Sequence, residues 1–147
     1  MTTVTWRDHL IETPAKVQQV LETTRRIAVL GIKPDESQPA HYVPEYAAQA
    51  GYEIVPVPVY YPELKEMMGM KVYRKLVDIP GDIDMVNVFR RPKDIAQHVD
   101  DIIAKKPKTV WFQLGIRNEE AAERLAEAGI DVIQDHCLLV ELRRIGR

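Results

Sequence analysis

The sequence predicts an α/β domain in which helices cover both faces of a mainly parallel sheet. Short apolar runs recur along the chain at 27–30, 52–57, 83–89, 109–114 and 130–134. Segments with apolar residues at helical spacing separate them, and this alternation is the signature of strand–helix–strand units. Glycines punctuate the pattern, with Gly31 and Gly115 closing strands and Gly51 and Gly129 closing helices. At 147 residues, 46% apolar and 29% charged, the chain suits one domain with its own core and is short for two.

The elements follow in order. Thr13 is a helix N-cap and Pro14 takes the first helical position, with Val17, Val20 and Leu21 on one face up to about Thr24. Arg25 and Arg26 lead into the strand at 27–30. The next helical pattern spans 40–50, with Val43, Tyr46, Ala47 and Ala50 on one side. The strand at 52–57 leaves through Pro56-Val57-Pro58-Val59-Tyr60-Tyr61-Pro62, too proline-rich for a sheet interior. A loop region follows, with a short helix expected at 63–68 and an extended piece at Val72-Tyr73.

The strand at 83–89 comes next, and Pro92 opens a helix carrying Ile95, Val99, Ile102 and Ile103 on one face. The strand at 109–114 is followed by a helix capped by Asn118, with Ala122, Leu125 and Ala126 inward. A last strand at 130–134 and a last helix at 138–145 complete the chain. Right-handed crossovers turn this order into a three-layer, doubly wound, Rossmann-like fold of about five strands. Residues 1–25 read as an N-terminal helical extension and residues 26–147 as the domain proper.

Composition narrows the partners. A net charge of −2 and a pI near 6.1 give no basis for nucleic acid or an anionic membrane as a partner. Cys137 stands alone, which excludes an intrachain disulfide and a thiolate metal cluster. His9, His41 and His98 lack metal-ligand spacing. No apolar run approaches the roughly 18 residues of a membrane-spanning helix, and the first residues lack a signal-peptide core. The expected location is the cytoplasm.

In a doubly wound sheet the ligand lies at the carboxyl ends of the strands, near the topological switch point. The candidate site is therefore the set of strand exits: Gly31 onward, Pro56 onward, Phe89-Arg90-Arg91, Gln113-Leu114-Gly115 and Asp135-His136. The first exit, "IAVLGIKPDESQP", lacks the G-x-G-x-x-G turn of a nicotinamide-dinucleotide site, and the second strand ends without an acid for a ribose diol. No phosphate-cradling G-x-x-x-x-G-K-[ST] occurs, and no carboxylates gather at strand ends around a magnesium ion.

What remains is a longer loop that supplies Lys33 and a helix cap at Ser37, or at Ala40 if the helix starts late. Arg90 and Arg91 leave the next inner strand at the same rim. Arginines at a helix start oppose its dipole unless an anion or a carboxylate is near. With an apolar shelf of Ile32, Val57, Pro58 and Leu114, these cations suit a ligand carrying an adenine ring and several phosphates, such as coenzyme A.

Other features read as structural. Asp135, His136 and Cys137 are sequence neighbours whose side chains diverge, so they form no triad, and Cys137 reads as a small buried hydrophobe. Arg117 reads as solvent-exposed. Tyr60, Tyr61 and Tyr73 either stack on a base or cover the sheet edge, and Met67, Met68 and Met70 cover an apolar surface.

Four stretches carry a family resemblance: "IAVLGIKPDESQPAHYV", "EYAAQAGYEIVPV", "VYRKLVDIPGDIDMVNVFRRP" and "VWFQLGIRNEEAAERLAEAGIDVIQDHCL". Over residues 26–142 the chain resembles the small stand-alone CoA-binding proteins of bacteria and archaea. Their domain is similar to the N-terminal CoA-binding domain of the succinyl-CoA synthetase alpha subunit.

The resemblance implies a Rossmann-type domain that binds CoA or acyl-CoA across the strand ends. It implies that the diphosphate and adenosine meet Gly31, Ile32 and Lys33, with further contacts from Ser37, Pro39, Ala40 and Tyr42. Val57 and Pro58 would bound the adenine, and Phe89, Arg90, Leu114 and Gly115 the far rim. Two positions depart from the family pattern. Lys33 stands where serine is frequent, and Pro58-Val59 stands where an asparagine–proline pair is frequent.

The expected function is CoA binding without catalytic residues or metal, since no nucleophile–base–orienter set is evident. The rival expectations are a CoA-dependent enzyme, a nicotinamide-dependent oxidoreductase, and a CoA-binding subunit of an acyl-CoA ligase-like complex. A homodimer or a ligase-type partner is the expected assembly.

Overall fold

The computed structural model describes residues 5–147. Its sheet has five strands: β1 (Arg26–Leu30), β2 (Glu53–Val57), β5 (Met85–Val88), β6 (Thr109–Phe112) and β7 (Asp131–Ile133). They run in the order β2-β1-β5-β6-β7, and every pairing is parallel. This is the expected Rossmann-like doubly wound sheet.

Alternation along each strand sorts the core into two layers. Ile27, Val29, Met85, Trp111 and Ile133 face the layer that holds α1 (Pro14–Thr23), α2 (Pro39–Gln49) and α5 (Leu138–Arg144). Ala28, Leu30, Val86, Val88, Val110 and Phe112 face the opposite layer of α3 (Val99–Lys105) and α4 (Glu119–Glu127). The central strands β5 and β6 are buried throughout, because helices cover both of their faces.

The predicted caps form. The Thr13 hydroxyl accepts from the Lys16 N–H at 3.3 Å, and the Asn118 side chain accepts from the Ala121 N–H at 2.9 Å. The extension at 1–25, whose residues 1–4 lie outside the described residues, packs on the sheet's own layer through Ile11, Val17, Val20 and Leu21. Leu10 bridges Val132 in parallel, and the Ile11 N–H donates to the Val132 carbonyl at 2.9 Å. The outer edge of β7 is thereby covered.

Two segments differ from expectation. Residues 63–68 are not helical. Instead β3 (Glu66–Met67) and β4 (Met70–Lys71) form a hairpin, joined by Met68 and Gly69 at φ +52° and +75°. Two successive left-handed residues make a tight hairpin turn, here on Met-Gly in place of the more common Asn-Gly. Pro92 opens two 3-10 turns, Pro92–Asp94 and Ala96–His98, before α3 begins at Val99. The spacing of Ile95, Val99 and Ile102 buries the same face either way, so periodicity does not distinguish the tighter winding.

Candidate functional site

The crossovers from β1 lead to β2 on one side, while β5 begins the other half of the sheet. Between the exits of β1 and β5 lies a cleft of about 300 Å³, bounded by Gly31, Ile32 and Lys33 on one side and Phe89, Arg90 and Arg91 on the other. Val59 and Tyr60, from the loop after β2, form its third wall. The cleft lies at the topological switch point, where ligands of open parallel sheets bind.

Gly31 makes the approach of the two exits possible. Its φ is +91°, and a methyl group on its Cα would collide with the Phe89 carbonyl oxygen and lie 3.1 Å from the carbonyl carbon. The backbone here is locked on both sides: the Gly31 N–H donates to Val57 O and the Phe89 N–H to Leu30 O, each at 2.9 Å. A single glycine thus meets a packing demand between neighbouring exits, which a dinucleotide-type triple glycine is not needed to satisfy.

Lys33 is held by the first turn of α2. Its N–H donates to the Ala40 carbonyl at 3.2 Å, and its own carbonyl accepts from Nδ1 of the buried His41 at 2.9 Å. Ser37 does not cap α2. Its hydroxyl and N–H both donate to the Asp35 carboxylate, at 2.7 and 2.9 Å, closing a local turn. Those bonds, the hydroxyl's first, keep the Asp35 carboxyl below the usual carboxylate range. The N-cap position falls to Gln38, whose side chain makes no capping bond, and Pro39 follows it at the first helical position. Tyr42 is exposed on the outer face of α2, while Ala40 is buried beneath the loop.

Arg90 is the most constrained cation. Its side chain is only 8% exposed; its Nε–H donates to Nε2 of His98 at 3.2 Å, and its Nη2 lies 3.9 Å from the Asp94 carboxylate. The guanidinium also lies 5.5 Å from the centroid of the Tyr60 ring, which is itself 56% exposed. Arg91 is largely exposed and donates to the same Asp94 at 2.7 Å. This bond, with the charge of both arginines, holds the Asp94 carboxyl below its ordinary range. Hydrogen bonding and charge from Arg90 likewise hold the Tyr60 phenol below its usual value. Burial, then repulsion from Arg90, lowers the His98 imidazole, so it is neutral near pH 7.

The structure therefore brings Gly31, Ile32, Lys33, Phe89 and Arg90 together around one cleft. Val57 and Pro58 line a smaller hollow of about 130 Å³ on the other side of Val59, with Arg74, Lys75, His98 and Asp101 on its wall. Leu114 and Gly115 line neither hollow. Leu114 is 64% exposed, and the Gly115 N–H is bound by the Asp135 carboxylate at 2.6 Å. Sequence reasoning did not place Val59 in the wall, nor Asp94 and His98 behind Arg90. The signal was available in Asp94, which sits four residues after Arg90 and three after Arg91. Cys137 is half-buried at the N-cap of α5, more open than a core thiol. The neighbouring His136 turns its Nδ1 to the Gln134 carbonyl at 2.7 Å.

The fold and the switch-point cleft, with an arginine and a lysine on facing rims, are those of a Rossmann-like domain. The chain belongs to the CoA binding domain family, whose sequence profile matches residues 25–143. It is 36% identical over 126 residues to the uncharacterized protein YneT of Bacillus subtilis (strain 168), covering 86% of this chain and 91% of that one.

Solved structures agree in fold. Cell-free ID.343 from Thermus thermophilus superposes with a TM-score of 0.84 at 38% identity, over 91% of this chain and 99% of that one. A hypothetical protein from Pyrococcus horikoshii OT3 gives 0.84 at 30% identity, over 98% and 97% of the two chains. The dinucleotide-forming acetyl-coenzyme A synthetase 1 of Ca. Korarchaeum cryptofilum shares the fold at 21% identity and a TM-score of 0.64. It covers 73% of this chain and 25% of that one. None of the helices among the described residues is long and apolar enough to cross a membrane.

Proposed function

We propose that the protein binds coenzyme A or an acyl-CoA in the β1/β5 cleft, as a binding module without catalytic chemistry of its own. The observation that carries this reading is Arg90, a nearly buried guanidinium at the switch point whose one ion-pair partner among the described residues, Asp94, is shared with Arg91. Such a cation retains capacity for a phosphate, and its rigid setting lowers the ordering cost of binding one.

Lys33, fixed through its backbone, places a second cation on the opposite rim of the same cleft. Gly31, Ile32 and Phe89 floor the cleft for the diphosphate, with Ser37, Pro39, Ala40 and Tyr42 flanking the loop side. The hollow of Val57 and Pro58 takes the adenine; no acid ends β2 itself, but Asp101 also lines the hollow and opposes the charge of the ribose 3′-phosphate. Lys75, exposed on the wall of that hollow, adds favourable charge. Leu114 and Gly115 then lie along the course of the pantetheine arm, above β6.

The work is done where CoA occurs, in the cytoplasm, by the chain as a homodimer or beside a ligase-type subunit. The test is a pair of titrations with CoA, on the wild type and on Arg90→Ala. The variant should bind roughly tenfold or more weakly, as expected for loss of a charge-assisted phosphate contact. Equal affinities would remove Arg90 from the phosphate site.

A further inference from the structure

The third wall of the cleft is a loop that carries one turn bond of its own, from the Leu64 N–H to the Tyr61 carbonyl at 3.1 Å. Tyr61 has φ +62°, a left-handed conformation that aromatic residues rarely adopt. Tyr60 projects from this loop with more than half of its surface exposed, yet it lies over the Arg90 guanidinium. The turn bond does not reach the Tyr60 carbonyl, which is held from outside the loop.

Arg74 is the group that holds it. One of its terminal nitrogens donates to the Tyr60 carbonyl at 3.0 Å, and the other to the carbonyls of Tyr61 at 2.5 Å and Leu64 at 2.9 Å. Its own backbone is fixed to the sheet, since the neighbouring Tyr73 N–H donates to Pro56 O in β2 at 3.0 Å. A rigid path thus runs from the edge strand through Arg74 to the loop and on to the Tyr60 ring. The planar guanidinium suits this role, because its donors diverge in a fixed fork that a lysine ammonium cannot reproduce.

We infer that Arg74 is a positioning residue: by tying three loop carbonyls to the sheet edge, it holds Tyr60 against Arg90 and so shapes the wall of the ligand cleft. It acts through Tyr60; because Arg74 also lines the neighbouring hollow, the ring contacts and not affinity alone decide this role. The effect on affinity rests on the CoA binding proposed above, whereas the positioning itself does not.

Proton–proton contacts between the Tyr60 ring and the Arg90 side chain, measured by NMR on the full chain, report the positioning directly. These contacts should be present in the wild type and lost in Arg74→Ala, while those between the paired residues Ala28 and Val86 persist. CoA affinity should fall roughly tenfold, as for loss of an ordered cation–aromatic wall. Adding Tyr60→Ala to Arg74→Ala should then change it little further. Should Arg74→Ala fail to fold, Arg74→Lys keeps the charge on a single nitrogen, and weakened Tyr60–Arg90 contacts are expected. Retention of wild-type contacts in the folded variants, or their absence from the wild type, overturns the inference. If the wild type binds no CoA, the binding proposal fails, and the ring contacts still decide the role of Arg74.

Discussion

The Lys33 N–H donates to the carbonyl of Ala40, 3.2 Å away, because Pro44 has no N–H to offer that carbonyl. In an uninterrupted helix residue 44 would be the partner of residue 40. Proline removes that donor and crowds the carbonyl it leaves free. A position that looks like a helix defect therefore anchors the loop carrying the cleft's lysine. Pro44→Ala returns an intrahelical partner to Ala40 and competes with Lys33. The expected outcome is faster hydrogen exchange at the Lys33 amide and a roughly threefold loss of CoA affinity, the scale of one modest hydrogen bond. An unchanged exchange rate at Lys33 would show that the anchor does not depend on Pro44.

Gly31 faces a different constraint. A side chain there meets the Phe89 backbone, which cannot retreat without breaking its own bond to Leu30, and the φ of +91° disfavours any L-residue. Left-handed strain and overpacking together should make Gly31→Ala less stable by on the order of 3 kcal/mol. Urea unfolding measures this, and a loss below about 1 kcal/mol would mean that the two exits can separate cheaply.

The bond from Arg90 to His98 sets a pH dependence. Nε2 of His98 can accept only while unprotonated, and burial followed by Arg90 lowers its pKa, against smaller opposing effects of Asp101 and Asp94. A histidine depressed in the folded state binds fewer protons there than when unfolded. Its contribution is complete above the unfolded value of about 6.5 and is lost as pH falls through the lower folded value. Melting temperatures should therefore drop over a window that opens as pH falls below about 6.5, and His98→Gln should flatten the drop. Asp35 and Asp94, also depressed, act below their ordinary value of 3.8, outside this window.

Asp94 pairs with both arginines, so in the proposed site it would compete with CoA for them. Asp94→Asn keeps the shape and removes the charge. CoA and inorganic pyrophosphate should each bind more tightly by roughly threefold, the size of one partly exposed ion pair. Weaker binding would show that Asp94 serves chiefly to orient Arg90.

The strands were legible because each is a short apolar run between turn residues, and a sheet covered on both faces demands such runs. The caps at Thr13 and Asn118 were legible because a polar side chain with a local backbone partner leaves a local trace. Strand ends were less so: Ile83 is apolar and buried yet lies outside β5, since burial does not require pairing. The rim cations Lys33, Arg90 and Arg91 were identifiable from their places at strand exits. Their surroundings were not, because Tyr60 reaches Arg90 from the loop after β2, His98 from a 3-10 turn, and Arg74 only through the Tyr60 loop, and contacts between such separate segments leave no periodicity to read. Ser37 illustrates the converse, as a residue suited to capping that bonds Asp35 instead.

The most direct measurement is calorimetric titration of one protein preparation with CoA, acetyl-CoA, NAD and NADP. Saturable heat with CoA or acetyl-CoA, and none with NAD at the same concentrations, is the result this account predicts. Clear NAD binding without any CoA heat would contradict it.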